Sequence, residues 1–438
     1  MRMRLRRNLR PAVDSLDDRC LLSGLTPAVL NHAYGLDSVY FNTPGGAVKG
    51  DGTGQTIALI EAFHDPTLQS DLQVFDQTFN LPAPPLDVVN LGGLQSNPSW
   101  GVEESLDVEW AHAIAPKATL VVVEASSQSL QSLLAAVNVA RNLPSVDVIS
   151  MSLGFPESTY HSSAVLTTPP GHIGITFVGA SGDSGMAGGS EWPAVSPDVL
   201  SVGGTSLYLN AAGNYGSEVA WSGSGGGQSH TVAEPSYQRN AQSSGRRSTP
   251  DVAFDGDPNT GVEVYQSSPY TGIGSWQVVG GTSLGTPAWA AIMAIADQGR
   301  TLEGKGSLNG ATQTLPTLYA LPPSDFHSVA TNHPGRASAT GLGSPNGGPL
   351  IADLVASNIN VPLSTSNASR GSIFSLRRAR SRRFAFRHVG RFQHLQHLRH
   401  LRAAEHPSPS PGHPASILAV DARIPVHPTL IMALKRHH

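Results

Sequence analysis

Residues 119–152 read TLVVVEASSQSLQSLLAAVNVARNLPSVDVISMS, with a helical segment between two apolar, largely β-branched runs. The runs at 119–124 and 147–152 predict strands, and residues 129–141 predict the helix that joins them. A strand, a crossover helix and a second strand form the unit from which parallel sheets are built. Continuous apolar runs are typical of strands whose two faces are both covered. This stretch therefore predicts an α/β fold.

The same alternation continues on both sides of this unit, from about residue 25 to about residue 359. We predict further strands at 56–60, 87–91, 175–180 and 199–202, and further helices at 103–114 and 283–298. The pattern favours a doubly wound, mainly parallel sheet flanked by helices. The sequence has no stretch of about 18 apolar residues, so we expect no transmembrane helix.

Charge divides the 438-residue chain into three parts. Residues 1–24 have six Arg against three Asp, residues 25–362 have nine Lys or Arg against 27 Asp or Glu, and residues 363–438 have 13 Lys or Arg against two acids. An acidic body loses self-repulsion when its carboxylates are protonated, which suits low pH. An acidic surface that merely keeps the domain soluble explains the composition equally well.

The two ends differ from the body in composition. Residues 1–24 are basic but lack the apolar run of an ordinary secretory signal, and their LDDRCLLS motif resembles a segment at the start of many large bacterial proteins regarded as exported. Cys20 is the only cysteine, so no intrachain disulfide forms. Residues 363–438 are rich in Arg and His, and we predict a disordered tail. The alternative is a basic amphipathic helix on an anionic surface.

The segment GGTSLGTPAWAAIMA, residues 280–294, places Ser283 where a glycine turn opens onto an apolar helix. The free amides and dipole of a helix N-terminus stabilise negative charge on an attacked carbonyl. Pro287 is expected in the first turn, where its missing N–H costs little. Taken alone, the motif fits a structural N-cap serine as well as a nucleophile.

A serine nucleophile needs a base, and none of the histidines of the body lies in a subtilisin-like HGTH setting. The segment VEESLDVEWAHAIAP, residues 102–116, instead places Glu103 and Asp107 one helical turn apart on the same face. Two carboxyls that meet can share a proton, which leaves a base able to work in acid. A solvated helix face is the ordinary explanation of this spacing.

The segment TFVGASGDSG, residues 176–185, presents Asp183 in a glycine-bounded turn after an apolar strand. A protonated Asp can donate a hydrogen bond to an oxyanion, whereas an ionised one repels it. By itself Asp183 fits an ordinary turn or N-cap residue. Together, the serine, the carboxyl pair and this Asp predict an enzyme that works at low pH.

EESLD, GDSG and GTS in this order resemble the sedolisins, or serine-carboxyl peptidases, which have a subtilisin-like fold. The resemblance extends over about residues 25–345 and includes LTPAVLNHAYGL, GQTIALIEAFHDP, EWAHAIAPKA, EWPAVSPDVLSVGGTSL, STPDVAFDGDPNTGV and TGLGSPN. It implies that Ser283 is the nucleophile and Glu103 its general base and then acid. It also implies that Asp107 orients Glu103 and that Asp183 is the oxyanion donor.

The resemblance extends to a supporting position and also shows departures. Glu61 in ALIEAF matches an acid that supports the Asp of the pair, whereas Glu104 lacks the family's spacing. Leu153 stands where the family often has Trp, which puts the bond to Glu61 in doubt. The long prodomain usual in the family has no counterpart in the two dozen residues before the domain.

The family usually binds one calcium ion through carboxylates near the end of the domain. Here those positions are Ser328 in FHSV and Ala337 in GRASATG. Calcium requires hard anionic oxygen ligands. We therefore predict no calcium, or much weaker binding, and no other cofactor.

These observations predict a sedolisin-type peptidase domain at residues 25–362 that hydrolyses proteins or peptides at acidic pH through an acyl-enzyme. We expect a monomer located outside the cytoplasm, in the cell envelope or the medium, with no nucleic-acid partner. The alternative is a surface or adhesion protein that retains the fold with weak or no catalysis. Subtilisin-type hydrolysis at neutral pH is disfavoured because the histidine base is missing.

Overall fold

The computed structural model describes residues 23–159, 164–329 and 339–361. Its helices are α1 Pro27–Ala33, α2 Leu68–Phe79, α3 Pro98–Ile114, α4 Leu130–Ala140, α5 Thr282–Leu302, α6 Leu315–Leu318 and α7 Gly347–Ala356. Its strands are β1 Tyr40–Thr43, β2 Gly46–Lys49, β3 Thr56–Ala62, β4 Leu86–Asn90, β5 Thr119–Ala125, β6 Val148–Met151, β7 Phe155–Pro156, β8 Thr176–Ala180, β9 Glu191–Trp192, β10 Val199–Leu209, β11 Tyr215–Ala220, β12 Gly227–Ala233, β13 Arg246–Thr249, β14 Val252–Asp255, β15 Val262–Ser267, β16 Gly274–Val279, β17 Phe326–His327 and β18 Ser344–Pro345.

An eight-stranded sheet forms the centre of the domain. Its order is β11-β10-β8-β6-β3-β5-β4, with β14 also paired to β10, and every pairing is parallel except that of β10 with β11. Every residue of β3, β6 and β8 is buried, because helices cover both faces of the sheet. The predicted doubly wound, mainly parallel α/β fold is confirmed.

The predicted boundaries hold best for the buried strands, whereas helix α3 and strand β10 extend at least five residues beyond their predicted ends. The helix predicted at 103–114 begins earlier because the Asn97 side chain caps it, accepting hydrogen bonds from the Ser99 amide (3.0 Å) and the Trp100 amide (3.3 Å). Pro98 occupies its first position, where a missing N–H costs nothing. The strand predicted at 199–202 continues to Leu209 because its second half pairs with β11 and β14.

Helices α3 and α5 lie inside the molecule rather than on its surface. Residues 100–114 of α3 and residues 282–300 of α5 are buried without interruption. The two helices pack against each other and against β3, and α5 also packs against β6, β8 and β10. Polar side chains on these helices therefore lie in the protein interior.

The acidic composition of residues 25–362 does not describe the surface. Of the 27 carboxyl side chains in this part of the chain, 18 are buried. The interpretation of an acidic surface is therefore wrong for most of these groups. Burial disfavours the charged form, so many of them hold protons that free carboxyls would release.

Three predictions concern regions at or beyond the limits of the described residues. The basic N-terminal segment at 1–24 lies almost wholly outside them, and the tail at 363–438 and Ala337 lie fully outside.

Among the helices that the structure describes, none has both the length and the apolarity needed to cross a bilayer.

Candidate active site

Ser283 and Glu103 meet in the interior, where α5 begins against α3. Both residues are buried, with exposed fractions of 0% and 1%, and the Ser283 hydroxyl lies close enough to the Glu103 carboxyl to affect its pKa. Burial raises the pKa of Glu103 well above its ordinary value, the charge of Asp107 raises it further, and the Ser283 hydroxyl opposes the rise. The carboxyl that the sequence predicts as the base is thus placed next to the predicted nucleophile.

Asp107 lies one turn further along α3 and meets Glu61 from β3. Burial raises the pKa of Asp107 to about 8, and hydrogen bonds from Ser152 and Glu61 oppose the rise. Burial also raises the pKa of Glu61 well above its ordinary value, followed by the effect of the nearby Asp107 charge. The pKa values of both carboxyls are raised, so this buried pair retains a proton at a pH where free carboxyls would release it.

Ser152, which the sequence reading did not single out, lies between the carboxyl pair and the serine. Its hydroxyl is 3.0 Å from Asp107 Oδ1 and 3.3 Å from the Ser283 carbonyl oxygen. Leu153 beside it is buried in the apolar core, with an exposed fraction of 4%. The contact between Glu61 and Asp107 forms although Leu153 replaces the expected Trp.

Pro287 is not in the first turn of its helix, which corrects the prediction. Since α5 begins at Thr282, Pro287 is its sixth residue and lies within the helix. The missing N–H of Pro287 leaves the Ser283 carbonyl without its usual partner four residues on. The Ser152 hydroxyl occupies that position, which explains why a serine follows β6 at this point.

Asp183 lies on the other side of the α5 N-terminus. Its Oδ1 accepts hydrogen bonds from both the amide and the hydroxyl of Thr282, each at 2.8 Å. Its Oδ2 is buried and makes no hydrogen bond with any described residue. Burial raises the pKa of Asp183 to about 6, against the effect of the Thr282 donors. Below that pH, Oδ2 can hold a proton and donate a hydrogen bond.

Glu104, which lacked the predicted spacing, is as buried as its neighbour, with an exposed fraction of 1%. It lies near the carboxyl of Glu124 on β5. Burial raises the pKa of Glu104 well above its ordinary value, and the charge of Glu124 adds to the effect. The structure therefore brings all four predicted catalytic side chains and Glu61 to one region, together with a second carboxyl pair.

The described residues near Ser328 do not fit a calcium site. Ser328 provides a hydroxyl where a carboxylate is needed, and Asp325 is hydrogen-bonded to Asp353. Burial raises the pKa of Asp325 to about 6, followed by the effect of the Asp353 charge. Ser328 has no anionic oxygen to offer a hard cation such as calcium.

A cavity of about 900 Å³ lies along α2 and the connection at residues 80–86. None of its lining residues belongs to the carboxyl and serine cluster. It is therefore a feature separate from the candidate active site.

Comparison with known proteins agrees with this geometry. The family model described as the Subtilase family matches residues 95–305, which include Glu103, Asp107, Asp183 and Ser283. Kumamolisin of Bacillus sp. is 32% identical over 356 residues, covering 70% of this chain and 61% of kumamolisin. Sedolisin of Pseudomonas sp. is 28% identical over 270 residues, covering 55% of this chain and 44% of sedolisin.

A solved structure extends the likeness to three dimensions. Pseudomonas sedolisin, a serine-carboxyl proteinase in complex with two molecules of pseudo-iodotyrostatin, superposes with a TM-score of 0.64 at 25% identity. The match covers 76% of this chain and 98% of that one. The chain is similar to the sedolisins in sequence and in fold. Its subtilisin-like fold is that of this family, and it spans about 61% of kumamolisin and less than half of the curated sedolisin sequence.

Proposed function

We propose that this chain is a peptidase that hydrolyses proteins or peptides in acid through an acyl-enzyme on Ser283. The single observation that supports it best is that the buried Ser283 hydroxyl and the buried Glu103 carboxyl lie side by side where α5 begins. A serine hydroxyl is a weak nucleophile unless a base accepts its proton. Glu103 is the base in contact with it.

In the first step, Ser283 Oγ attacks the substrate carbonyl carbon while its proton passes to Glu103. When the tetrahedral intermediate collapses, Glu103 returns that proton to the departing amine and the peptide C–N bond breaks. A water molecule then attacks the ester, with Glu103 again as base, and Ser283 regains its proton. Asp107 and Glu61 share a buried proton next to Glu103. Because of this proton, no second full negative charge forms beside the Glu103 carboxylate.

Asp183 supplies the hydrogen-bond donor for the oxyanion. Thr282 fixes Oδ1 with two hydrogen bonds, so the proton of the neutral acid is on Oδ2. A preorganised donor of this kind contributes roughly 2.7–4 kcal/mol to transition-state stabilisation. Because the pKa of Asp183 is raised to about 6, this donor is present in acid and is lost as the pH rises through that value.

The proposal is tested by hydrolysis of a denatured protein between pH 2 and pH 8. We expect activity in acid from the wild type and its loss in Ser283→Ala and in Glu103→Gln, whose thermal unfolding shows that they are folded. Full activity in Ser283→Ala would disprove the acyl-enzyme. No activity from a folded wild type at any pH would favour the alternative of a non-catalytic surface protein.

The proposal also covers location, oligomeric state and cofactors. We place the protein outside the cytoplasm, as a monomer that acts on protein or peptide substrates without a cofactor. The oxyanion donor Asp183 keeps its proton only where the surroundings are acidic, because its pKa is raised to about 6.

A further inference from the structure

Helix α2 and the connection that leads from it to β4 bound the cavity of about 900 Å³ described above, here named the α2 cavity. Pockets of roughly 300–1,000 Å³ are the sites that take a whole small ligand rather than one side chain. Asp71 fixes the start of α2, because its carboxylate accepts hydrogen bonds from the amide (2.7 Å) and the hydroxyl (2.6 Å) of Ser267 on β15. The α2 cavity is therefore a preformed site rather than a gap between mobile segments.

A row of side-chain amides lines the α2 cavity. Gln69, Gln73 and Gln77 are spaced four residues apart on α2, so their side chains follow one another along one face of the helix, and Asn80 continues the row. All four residues are exposed. Each side-chain amide has donors and an acceptor, which are the two kinds of group that a peptide backbone presents. The row therefore matches an extended peptide.

Asp76 is the only ionisable side chain among the residues that line the α2 cavity. It is 6% exposed, and its Oδ1 lies 3.0 Å from Nε2 of His112, which is fully buried on α3. The other carboxylate oxygen, Oδ2, is the one left to meet a ligand. A neutral His112 leaves a full negative charge at the cavity, and low local dielectric strengthens its attraction for a cation.

The lining disfavours three other classes of ligand. No Lys, Arg or His lines the cavity to bind an anion, and the described residues contain no group of three or more His, Cys, Asp or Glu that could hold a metal ion. A purely apolar ligand would leave Asp76 and the amides without partners. A cation on an aliphatic stem fits, because Leu72, Leu81 and Leu86 also line the cavity and can cover the stem.

We propose that the α2 cavity binds an extended peptide segment through an arginine side chain. The guanidinium pairs with Asp76 Oδ2, the aliphatic stem packs on the leucines, and the peptide backbone meets the row of amides. Guanidinium is the cation best suited to this lining, since its five donors can serve a carboxylate and neighbouring amide oxygens together. The site is separate from the Ser283 and Glu103 cluster, so this inference does not depend on the proposed peptidase function.

Isothermal titration calorimetry at pH 7.5 tests the proposal with the full chain carrying Ser283→Ala, which prevents cleavage of the probe. The probe is the capped pentapeptide Ala-Ala-Arg-Ala-Ala, and its control has citrulline, the neutral analogue of the same shape, in place of Arg. We expect the arginine peptide to bind at least about tenfold more tightly than the citrulline peptide. Ethylguanidinium, which has the cation without a backbone, should also bind at least about tenfold more weakly than the arginine peptide.

Three variants in the same Ser283→Ala parent locate the binding. Asp76→Asn should remove the preference for arginine over citrulline. Gln73→Glu adds a carboxylate on the exposed row one turn from Asp76 and should raise the affinity for the arginine peptide about threefold. Asp87→Asn removes an exposed charge on β4 that does not line the cavity and should leave the affinity unchanged.

Equal affinities of the arginine and citrulline peptides for the parent would overturn the proposal. So would a preference for arginine that persists in Asp76→Asn, or an affinity that Gln73→Glu does not raise, because the peptide would then bind elsewhere on the protein. If Asp76→Asn fails to fold, Gln73→Glu still decides the question, since Gln73 is exposed and its replacement disturbs no buried contact. Ethylguanidinium that binds as tightly as the arginine peptide would refute the assignment of a peptide.

Discussion

Raising the pH from 4 to 7 should destabilise the folded protein, and Asp183 accounts for a defined part of the loss. Burial raises the pKa of Asp183 from 3.8 to about 6. Between these values the folded protein keeps a proton that the unfolded chain releases, so stability is present below about pH 4 and is lost as the pH passes 6. Two pKa units correspond to about 3 kcal/mol, which is roughly 5 °C or more in Tm.

Asp183→Asn isolates this contribution. The amide oxygen can still accept from Thr282, but the side chain no longer titrates. Thermal unfolding followed by circular dichroism at pH 4, 5, 6 and 7, with Ser283→Ala as the parent to prevent self-digestion, should show a smaller fall of Tm in the variant. Asp87→Asn changes an exposed carboxyl on β4 and should follow the parent. Parallel curves for Asp183→Asn and the parent, or a Tm that rises with pH, would refute the reasoning.

Two further substitutions test contacts that the fold provides. Ser152→Ala removes the hydroxyl that lies between Asp107 Oδ1 and the Ser283 carbonyl oxygen. The free energy of unfolding should fall by about 1–3 kcal/mol, and kcat/KM should also decrease. Unchanged kinetics would contradict a positioning role for Ser152. Arg247→Met leaves Asp251 buried without the two 2.6 Å hydrogen bonds of its ion pair. Denaturant unfolding should show that the free energy of unfolding falls by about 3–5 kcal/mol. A decrease of less than about 1 kcal/mol would contradict this prediction.

The central strands could be predicted because both of their faces are buried. β3, β5, β6 and β8 are apolar runs whose observed ends differ from the predicted ends by no more than two residues. Strands β11, β12 and β16 were not predicted, since their exposed and buried residues follow no simple run. The start of α3 was predicted five residues too late because the Asn97 cap and Pro98 signal were not used.

Helix α3 shows why hydrophobic periodicity alone does not reveal a buried carboxyl site. Three acids and a histidine within residues 104–112 are typical of a surface helix, yet the whole segment is buried. Periodicity reports burial only when the buried face is apolar and the other face is polar. Packing against α5 and the sheet is a property of the whole fold, so the solvated-face interpretation of Glu103 and Asp107 could be excluded only in three dimensions.

The sequence by itself determined the fold class and the order of the candidate groups, because both depend on local patterns and short motifs. Only the tertiary structure decided which groups meet. Ser283 is 180 residues from Glu103, and Asp107 is 46 residues from Glu61, so these contacts arise from the packing of α5, α3 and β3. The packing of these elements also decides which carboxyls keep their protons. Burial and a neighbouring charge shift a pKa, whereas the position of a residue in the chain does not.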